Sequence, residues 1–253
     1  MKTVKNLPVG GYRYIESVFQ FSGGVAALPG FGIERAAFVQ PVPLVDAFAA
    51  IEAHLGRLGR PTTALCACEL RSPEPFSEQG FVDFNKAYVQ TLERFGLFEN
   101  GVNPVARTNV CPHTAKPSEP SIYAFCYTVP SMLAGATQTN FVVSGGAEAA
   151  EGEGDYHDSI VALGDTSIDS LRDKLRYVRD EQALRLDALG MGWSDAVDVR
   201  CYTLHDVGPL LREELLRHGI GNHGLRWYDA SPPVQDCEYE MDARTVLRDI
   251  TLN

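Results

Sequence analysis

Phe19-Gln-Phe-Ser-Gly-Gly24 and Phe141-Val-Val-Ser-Gly-Gly146 are the two stretches on which the reading of the fold turns. Each reads as a strand running into a Ser-Gly-Gly turn, where glycine admits dihedrals or close approaches that a side chain forbids. Ser22 and Ser144 stand 122 residues apart in a chain of 253. That offset points to two copies of one unit.

The elements downstream repeat in the same order. Pro43 to Leu58 places Leu44, Phe48, Ile51 and Leu55 on one helical face. Ile168 to Leu189 does so with Leu171, Leu175, Val178, Leu184 and the Leu186–Leu189 pair. Both helices end in glycine-containing punctuation, Leu58-Gly59-Arg-Pro61 and Leu189-Gly-Met-Gly192. A strand follows in each copy, over 63–70 and 196–204, and then a second helix, Phe81 to Phe95 and Val207 to Leu216. Short strands with an embedded arginine come next, Pro104-Val-Ala-Arg107-Thr-Asn-Val110 and Gly224-Leu-Arg226-Trp-Tyr. Each copy closes on a β-like run, 121–129 and 236–241, and a hairpin strand is expected before the Ser-Gly-Gly turn in each half. The arginines are 119 residues apart, close to the serine offset.

The fold class expected is therefore α+β: two tandem units, 1–132 and 133–253, each a mixed or antiparallel sheet with two helices packed on one face. The acidic stretch from Ala147 to Asp158 reads as a loop inside the second unit. Helices on one face leave the other face open. Two such faces cover each other or join other subunits, so a homo-oligomer is expected.

Bulk properties narrow the function. Hydrophobic residues make up 45 %, enough for real cores. The net charge of −11 opposes nucleic-acid binding, because a phosphate backbone rewards a basic surface. A small anion in a locally positive pocket remains allowed. The opening MKTVKNLPVGGYRYIES lacks the apolar run of a signal peptide, and no apolar stretch is long enough for a bilayer. The cytoplasm is the expected compartment, with no membrane partner. The six cysteines then read as buried packing residues, not disulfides.

Arg107 sits in an otherwise nonpolar strand start and must find a counter-charge, structural or substrate-borne. Arg226 has Trp227 and Tyr228 beside it, on which it could simply stack. Glu238 and Glu240 flank Tyr239; one could serve as acid or base, or both could be solvated. The matching run at 122–127 has no carboxylate, so the copies are not chemically equivalent. Ser22 and Ser144 lie in no nucleophile-elbow pattern, which leaves them hydrogen-bonding roles. Cys111 and His113 are too few for a metal site, and no CxxC, HExxH or phosphate-binding glycine loop is present. No metal and no cofactor are expected.

On Phe-Gln-Phe-Ser-Gly-Gly at 19–24, Phe84, Asn85 and Tyr88, Pro-Val-Ala-Arg107-Thr, the second Ser-Gly-Gly, Arg226 and Glu238-Tyr-Glu240, the chain resembles the Rid/YjgF family of enamine and imine deaminases. The duplicated form is similar to deaminases of 2-aminomuconate-type acids, chlorinated analogues included. The resemblance implies chorismate-mutase-like units and cofactor-free hydrolysis of an enamine or imine dicarboxylate. It implies Arg107, with Arg226 as its counterpart, on the substrate carboxylate, and Glu238 near the hydrolytic water. Ser22, Asn109 and a tyrosine, Tyr12 or Tyr14 with Tyr14 preferred, complete the binding set. The family assembles as trimers with sites between subunits, so a trimer of pseudo-sixfold arrangement is expected here. Two rivals stay open: a deaminase of small 2-aminoacrylate-type enamines, and a non-catalytic carboxylate-binding or regulatory protein. One composite site drawn from both copies, or one live copy and one structural copy, is favoured over two identical sites.

Overall fold

The computed structural model describes residues 2–131, 139–152 and 156–252. In chain order the first half runs β1 (Val4–Leu7), β2 (Tyr12–Ile15), β3 (Gly24–Ala27), β4 (Phe31–Pro43), α1 (Leu44–Arg57), β5 (Leu65–Arg71), α2 (Glu78–Arg94), β6 (Ala106–Pro112) and β7 (Ser121–Pro130). The second half runs β8 (Phe141–Ala147), α3 (Tyr156–Ser159), α4 (Ile168–Ala188), β9 (Asp198–Tyr202), α5 (Gly208–Glu214), β10 (Leu225–Tyr228), β11 (Ala230–Ser231), β12 (Glu240–Thr245) and β13 (Arg248–Leu252). Both halves build the same four-strand pattern, β4-β7-β5-β6 and β8-β12-β9-β10, with helices between matching strands. The α+β reading with two sheet-and-helix units holds.

Sheet membership does not follow the sequence halves. The hairpin β1-β2 and strand β3 extend the second unit's sheet, in the order β1-β2-β3-β8-β12-β9-β10. In return β13, the last element described, runs parallel to β4, and β11 pairs with β6, giving β11-β6-β5-β7-β4-β13. The boundary expected at 132/133 falls among residues outside the described set.

This exchange corrects the alignment of the two Ser-Gly-Gly stretches. Phe141–Gly146 is strand β8, whereas 19–23 is irregular chain leading into β3. The counterpart of β8 is β4, which precedes α1 and pairs with β7 as β8 precedes α4 and pairs with β12. Its buried Glu34 and Arg35 hide β4 from a reading based on apolar alternation. The serines are nonetheless neighbours: Ser144 Oγ donates to the carbonyl of Ser22 at 2.6 Å.

Helical periodicity is realised with one exception. Phe48, Ile51 and Leu55 are buried in the core of the first unit, and Leu171, Leu175, Val178, Leu186 and Leu189 in that of the second. Leu184 falls off the stripe and is exposed; Gln182, two residues earlier, takes the inward position and donates to the carbonyls of Ser144 and Met241. Ser77 and Ser167 cap α2 and α4, accepting from Gly80 and Ser170 amides. All six cysteines are free and buried. The segment 147–158 ends in the short helix α3 and is not loop throughout.

The faces turned away from the helices meet each other, and they are charged. Along β5, Cys68 and Leu70 face the helices while Glu69 faces the opposite sheet. Along β12, Met241 and Ala243 face the helices while Asp242 and Arg244 face inward. The Glu69 carboxylate takes both nitrogens of Arg35 at 2.5 and 2.9 Å, Arg200 at 2.9 Å, and Arg244. Asp242 accepts from Thr108, Tyr202 and Arg244, and Asp198 from Arg200. Burial alone would raise the Glu69 pKa; Arg244, Arg200 and Arg35 outweigh it and hold the carboxyl well below its ordinary range.

A depressed folded-state pKa contributes stability above the unfolded value that is lost as pH falls through the folded one. Glu69→Gln therefore costs about 3–5 kcal/mol, since three buried guanidiniums lose their shared anion. In urea titrations the deficit against the parent should stay constant from neutral pH down to about 5 and shrink progressively as pH falls from about 4.5 toward the depressed folded value.

Candidate active site

Arg107 is the second residue of β6, one step out of register with the inter-sheet face, so it points into the layer under α2. Its Nη1 donates to Asn85 Oδ1 at 2.6 Å. Four rings surround the guanidinium carbon, Phe21 at 4.9 Å, Tyr88 at 5.2 Å, Phe81 at 5.6 Å and Phe84 at 5.9 Å. These faces offset part of its desolvation. Burial pulls the Arg107 pKa down, countered by Tyr88, Tyr156 and Glu240. Among the described residues it has no carboxylate at ion-pair distance although it is only 3 % exposed. A buried guanidinium with unused donors and, among the described residues, no counter-ion is a site for an anion.

That open side lines a cleft of about 470 Å³, counting the space at its mouth. Asn109, two residues further along β6, lines it too. Its Oδ1 accepts from Ser72, and its buried Nδ2 has no partner. The second unit supplies Glu240 from the first position of β12, Gly145 and Ala147 from β8, and Cys237 and Val234 from the segment before β12. Phe81, Ala149, Ile160, Val234 and Cys237 form one apolar cluster that walls the cleft. The cleft is composite, cationic on the first unit's side and carboxylic on the second's.

Glu240 is 3 % exposed, and its carboxyl lies over Gly145. Burial, then the nearby Asp242, push its pKa well above the ordinary carboxylate value, outweighing Arg107 and Arg185. A Cβ on Gly145 would clash with Glu240 Oε1, so glycine there is what leaves the carboxyl its place. Ser144 fixes the seam beside it: its hydroxyl accepts from the Arg107 amide at 3.0 Å while donating to Ser22. Tyr156 completes the rim, its phenol pushed up to about 12 by burial and then by Glu151.

Of the residues singled out from sequence, Arg107, Asn109 and Glu240 come together here, whereas Glu238, Arg226, Ser22, Tyr14 and Tyr12 do not. Glu238 lies before β12 begins, half-exposed, with its carboxylate 2.6 Å from His205 Nε2. Its backbone and that of Tyr239 donate to Glu148 at 2.5 and 3.0 Å, which anchors the approach to Glu240. The carboxylate in the cleft is thus Glu240, because the strand begins later than the expected 236–241. Arg226 occupies the position in β10 that Arg107 has in β6, but it is exposed, 3.5 Å from Asp198, and outside the cleft. Ser22 is buried at the seam behind Phe21. Tyr14 packs in the first unit's core, and Tyr12 donates to the Leu65 carbonyl. Among the described residues no cluster of three potential ligands stands where a metal could bind; Cys111 is buried and His113 exposed.

Comparison with known proteins agrees with the kinship read from the motifs. Residues 4–250 match the family model described as 2-aminomuconate deaminase CnbZ. The chain belongs to this family. A 2-amino-5-chloromuconate deaminase of Comamonas testosteroni is 54 % identical to it over 96 % of each chain. Among solved structures a chorismatase aligns with a TM-score of 0.49 at 15 % identity, covering 88 % of this chain and 77 % of its own. The Escherichia coli YjgF gene product aligns with a TM-score of 0.32 at 16 % identity, covering 43 % of this chain and 81 % of its own.

Gly145→Ala tests the placement of Glu240 separately from the fold. The clash is with the end of a side chain, so the expected stability loss is modest, about 1–3 kcal/mol. Deaminase activity should fall far more than thermal stability, read from ammonia release and a melting curve on one preparation.

Proposed function

We propose that the chain is a cofactor-independent hydrolytic deaminase of a 2-aminomuconate-type dicarboxylic acid, chlorinated forms included, with its site in the cleft between Arg107 and Glu240. The observation that carries this is the pairing of an unneutralised buried arginine with a buried carboxyl whose pKa is raised, on opposite walls of one apolar cleft. The 54 % identity to a 2-amino-5-chloromuconate deaminase supports the substrate class.

In this reading the carboxylate next to the amino-bearing carbon binds Arg107, which fixes that carbon in the cleft. The unpaired amide of Asn109 adds a donor, and the apolar walls take the conjugated chain. Glu240, neutral at the outset, protonates the enamine carbon and leaves an iminium that draws electrons from C2. The carboxylate so formed takes a proton from water as its oxygen bonds to C2. The same group then protonates nitrogen; the C2–N bond breaks, ammonia departs and the hydroxyl proton returns to Glu240 as the 2-oxo acid forms. Burial keeps the acid form available at neutral pH. The imine carbon is itself the electrophile, so the cycle closes without a cofactor.

The units 1–132 and 133–253 are taken as Rid-type copies that have parted chemically. The assembly proposed is a homo-oligomer, a trimer of pseudo-sixfold arrangement, in which Arg226 serves only if a neighbouring subunit completes a site around it. A monomeric mass in light scattering removes that role. No helix among the described residues is long and apolar enough to cross a membrane.

The purified chain with freshly generated 2-aminomuconate should release ammonia, and an intact fold without release overturns the reading. Greater turnover of 2-aminoacrylate than of the dicarboxylate would assign it to the small-enamine class. Arg107→Met should lower kcat/KM by about a hundredfold or more. Glu240→Gln should lower kcat by about 10²–10⁴-fold. A raised folded pKa means the parent loses stability as pH climbs from about 4.5 toward that pKa, whereas the glutamine variant does not. Melting temperatures across pH should therefore shift in favour of Glu240→Gln as pH rises.

A further inference from the structure

Six arginines are buried among the described residues: Arg35, Arg71, Arg107, Arg185, Arg200 and Arg244. Four of them pair with carboxylates, Arg35, Arg200 and Arg244 with Glu69 and Arg185 with Glu151. Arg107 is one of the remaining two. The other is Arg71, two residues beyond Glu69 on the same face of β5 and 7 % exposed.

Arg71 spends one donor on the carbonyl of its neighbour Leu70, at 2.8 Å, and lays its guanidinium over the Tyr123 ring at 4.7 Å. The rest of the group faces a second cleft, at the far end of the seam between the sheets. That cleft is lined by Tyr123, Tyr202, Tyr228, Thr114 and Asp229 and encloses about 640 Å³ with its mouth. Tyr202 and Tyr228 stack on each other, centroids 5.2 Å apart and planes 23° apart, as one flat wall. Val110 and Pro112 of β6 form its floor, three to five residues or about 10–17 Å along the strand from Arg107. It is a separate place from the cleft of Arg107 and Glu240, and they share no lining residue.

We propose that this cleft is a second binding site, for a planar aromatic or conjugated monocarboxylate, with Arg71 gripping the carboxylate and the tyrosines stacking on the plane. A buried guanidinium without a counter-ion favours an anion, and flat aromatic walls favour a flat one. Asp229 at the rim disfavours a second negative charge on the ligand. The site also has a line to the first: Tyr202 donates its hydroxyl to Asp242 at 2.9 Å, and Asp242 stands two residues from Glu240 on the same face of β12. Occupancy that shifts Tyr202 thereby acts on the charge next to Glu240.

The test is calorimetric titration of the full chain with benzoate, alongside Arg107→Met, Arg71→Met and Tyr228→Ala. Benzoate binding should persist in Arg107→Met and weaken by about tenfold or more when Arg71→Met is added. Tyr228→Ala, at a half-exposed wall, should weaken it in a protein whose melting curve matches the parent. Loss of all benzoate binding in Arg107→Met alone, or indifference to both changes in this cleft, overturns the proposal. Inorganic phosphate binding as tightly as benzoate overturns the aromatic part. Because the readout is binding, failure here is distinguishable from failure of the deaminase reading.

Discussion

The Glu69 carboxylate, held between Arg35 of its own sheet and Arg200 and Arg244 of the other, is the interaction on which the rest of the molecule depends. Two sheets that met through leucine and valine could slide past one another at little cost. A single carboxylate shared by three guanidiniums allows one docking, because sliding either sheet would part Glu69 from Arg200 and Arg244 and leave buried charges unpaired. The seam so fixed sets the heights of β6 and β12 against each other. Thr108 meets Asp242 across it at 2.8 Å. Arg107 and Glu240 sit one and two residues from that contact, and their meeting in one cleft follows from it.

The two copies have kept a scaffold and divided its chemistry. Arg107 and Arg226 occupy equivalent places beside β5 and β9. The first has been enclosed by four rings, and the second left on an exposed edge beside Asp198. The carboxyl comes from the other copy. Such division frees each half from supplying a complete site and lets Gly145, Ser144 and Ser22 specialise in holding the seam.

Much of this was legible in the sequence, for physical reasons that also explain what was not. Helices α1, α2 and α4 announce themselves because one face of each is apolar at helical spacing. Arg107 stands out because a charge amid Val105 and Ala106 must be answered by something. The β4 strand was hidden because its inward residues include Glu34 and Arg35, which burial in the seam satisfies but alternation of polarity does not display. Glu240 was weighed beside Glu238 and could not be separated from it. Strand spacing places both on one face, and the hold of Glu148 on the amides of Glu238 and Tyr239 accompanies a strand that begins only at Glu240. The exchange of β1–β3 and β13 leaves no local signature, since pairing partners far apart in sequence are chosen by the whole fold.

That exchange has a consequence in time. Strand β4 has both its neighbours downstream, β7 at Ser121–Pro130 and β13 at Arg248–Leu252, the last element described. The first sheet therefore cannot be completed while the ribosome is still making the second unit, and β1–β3 must wait for β8 at Phe141. A nascent chain of this protein carries open strand edges until β13 has been made, with long loops to close before the first sheet is whole. Folding of the first sheet is bound to the making of β13, and a chain broken off before Arg248 would lack the strand that pairs with β4.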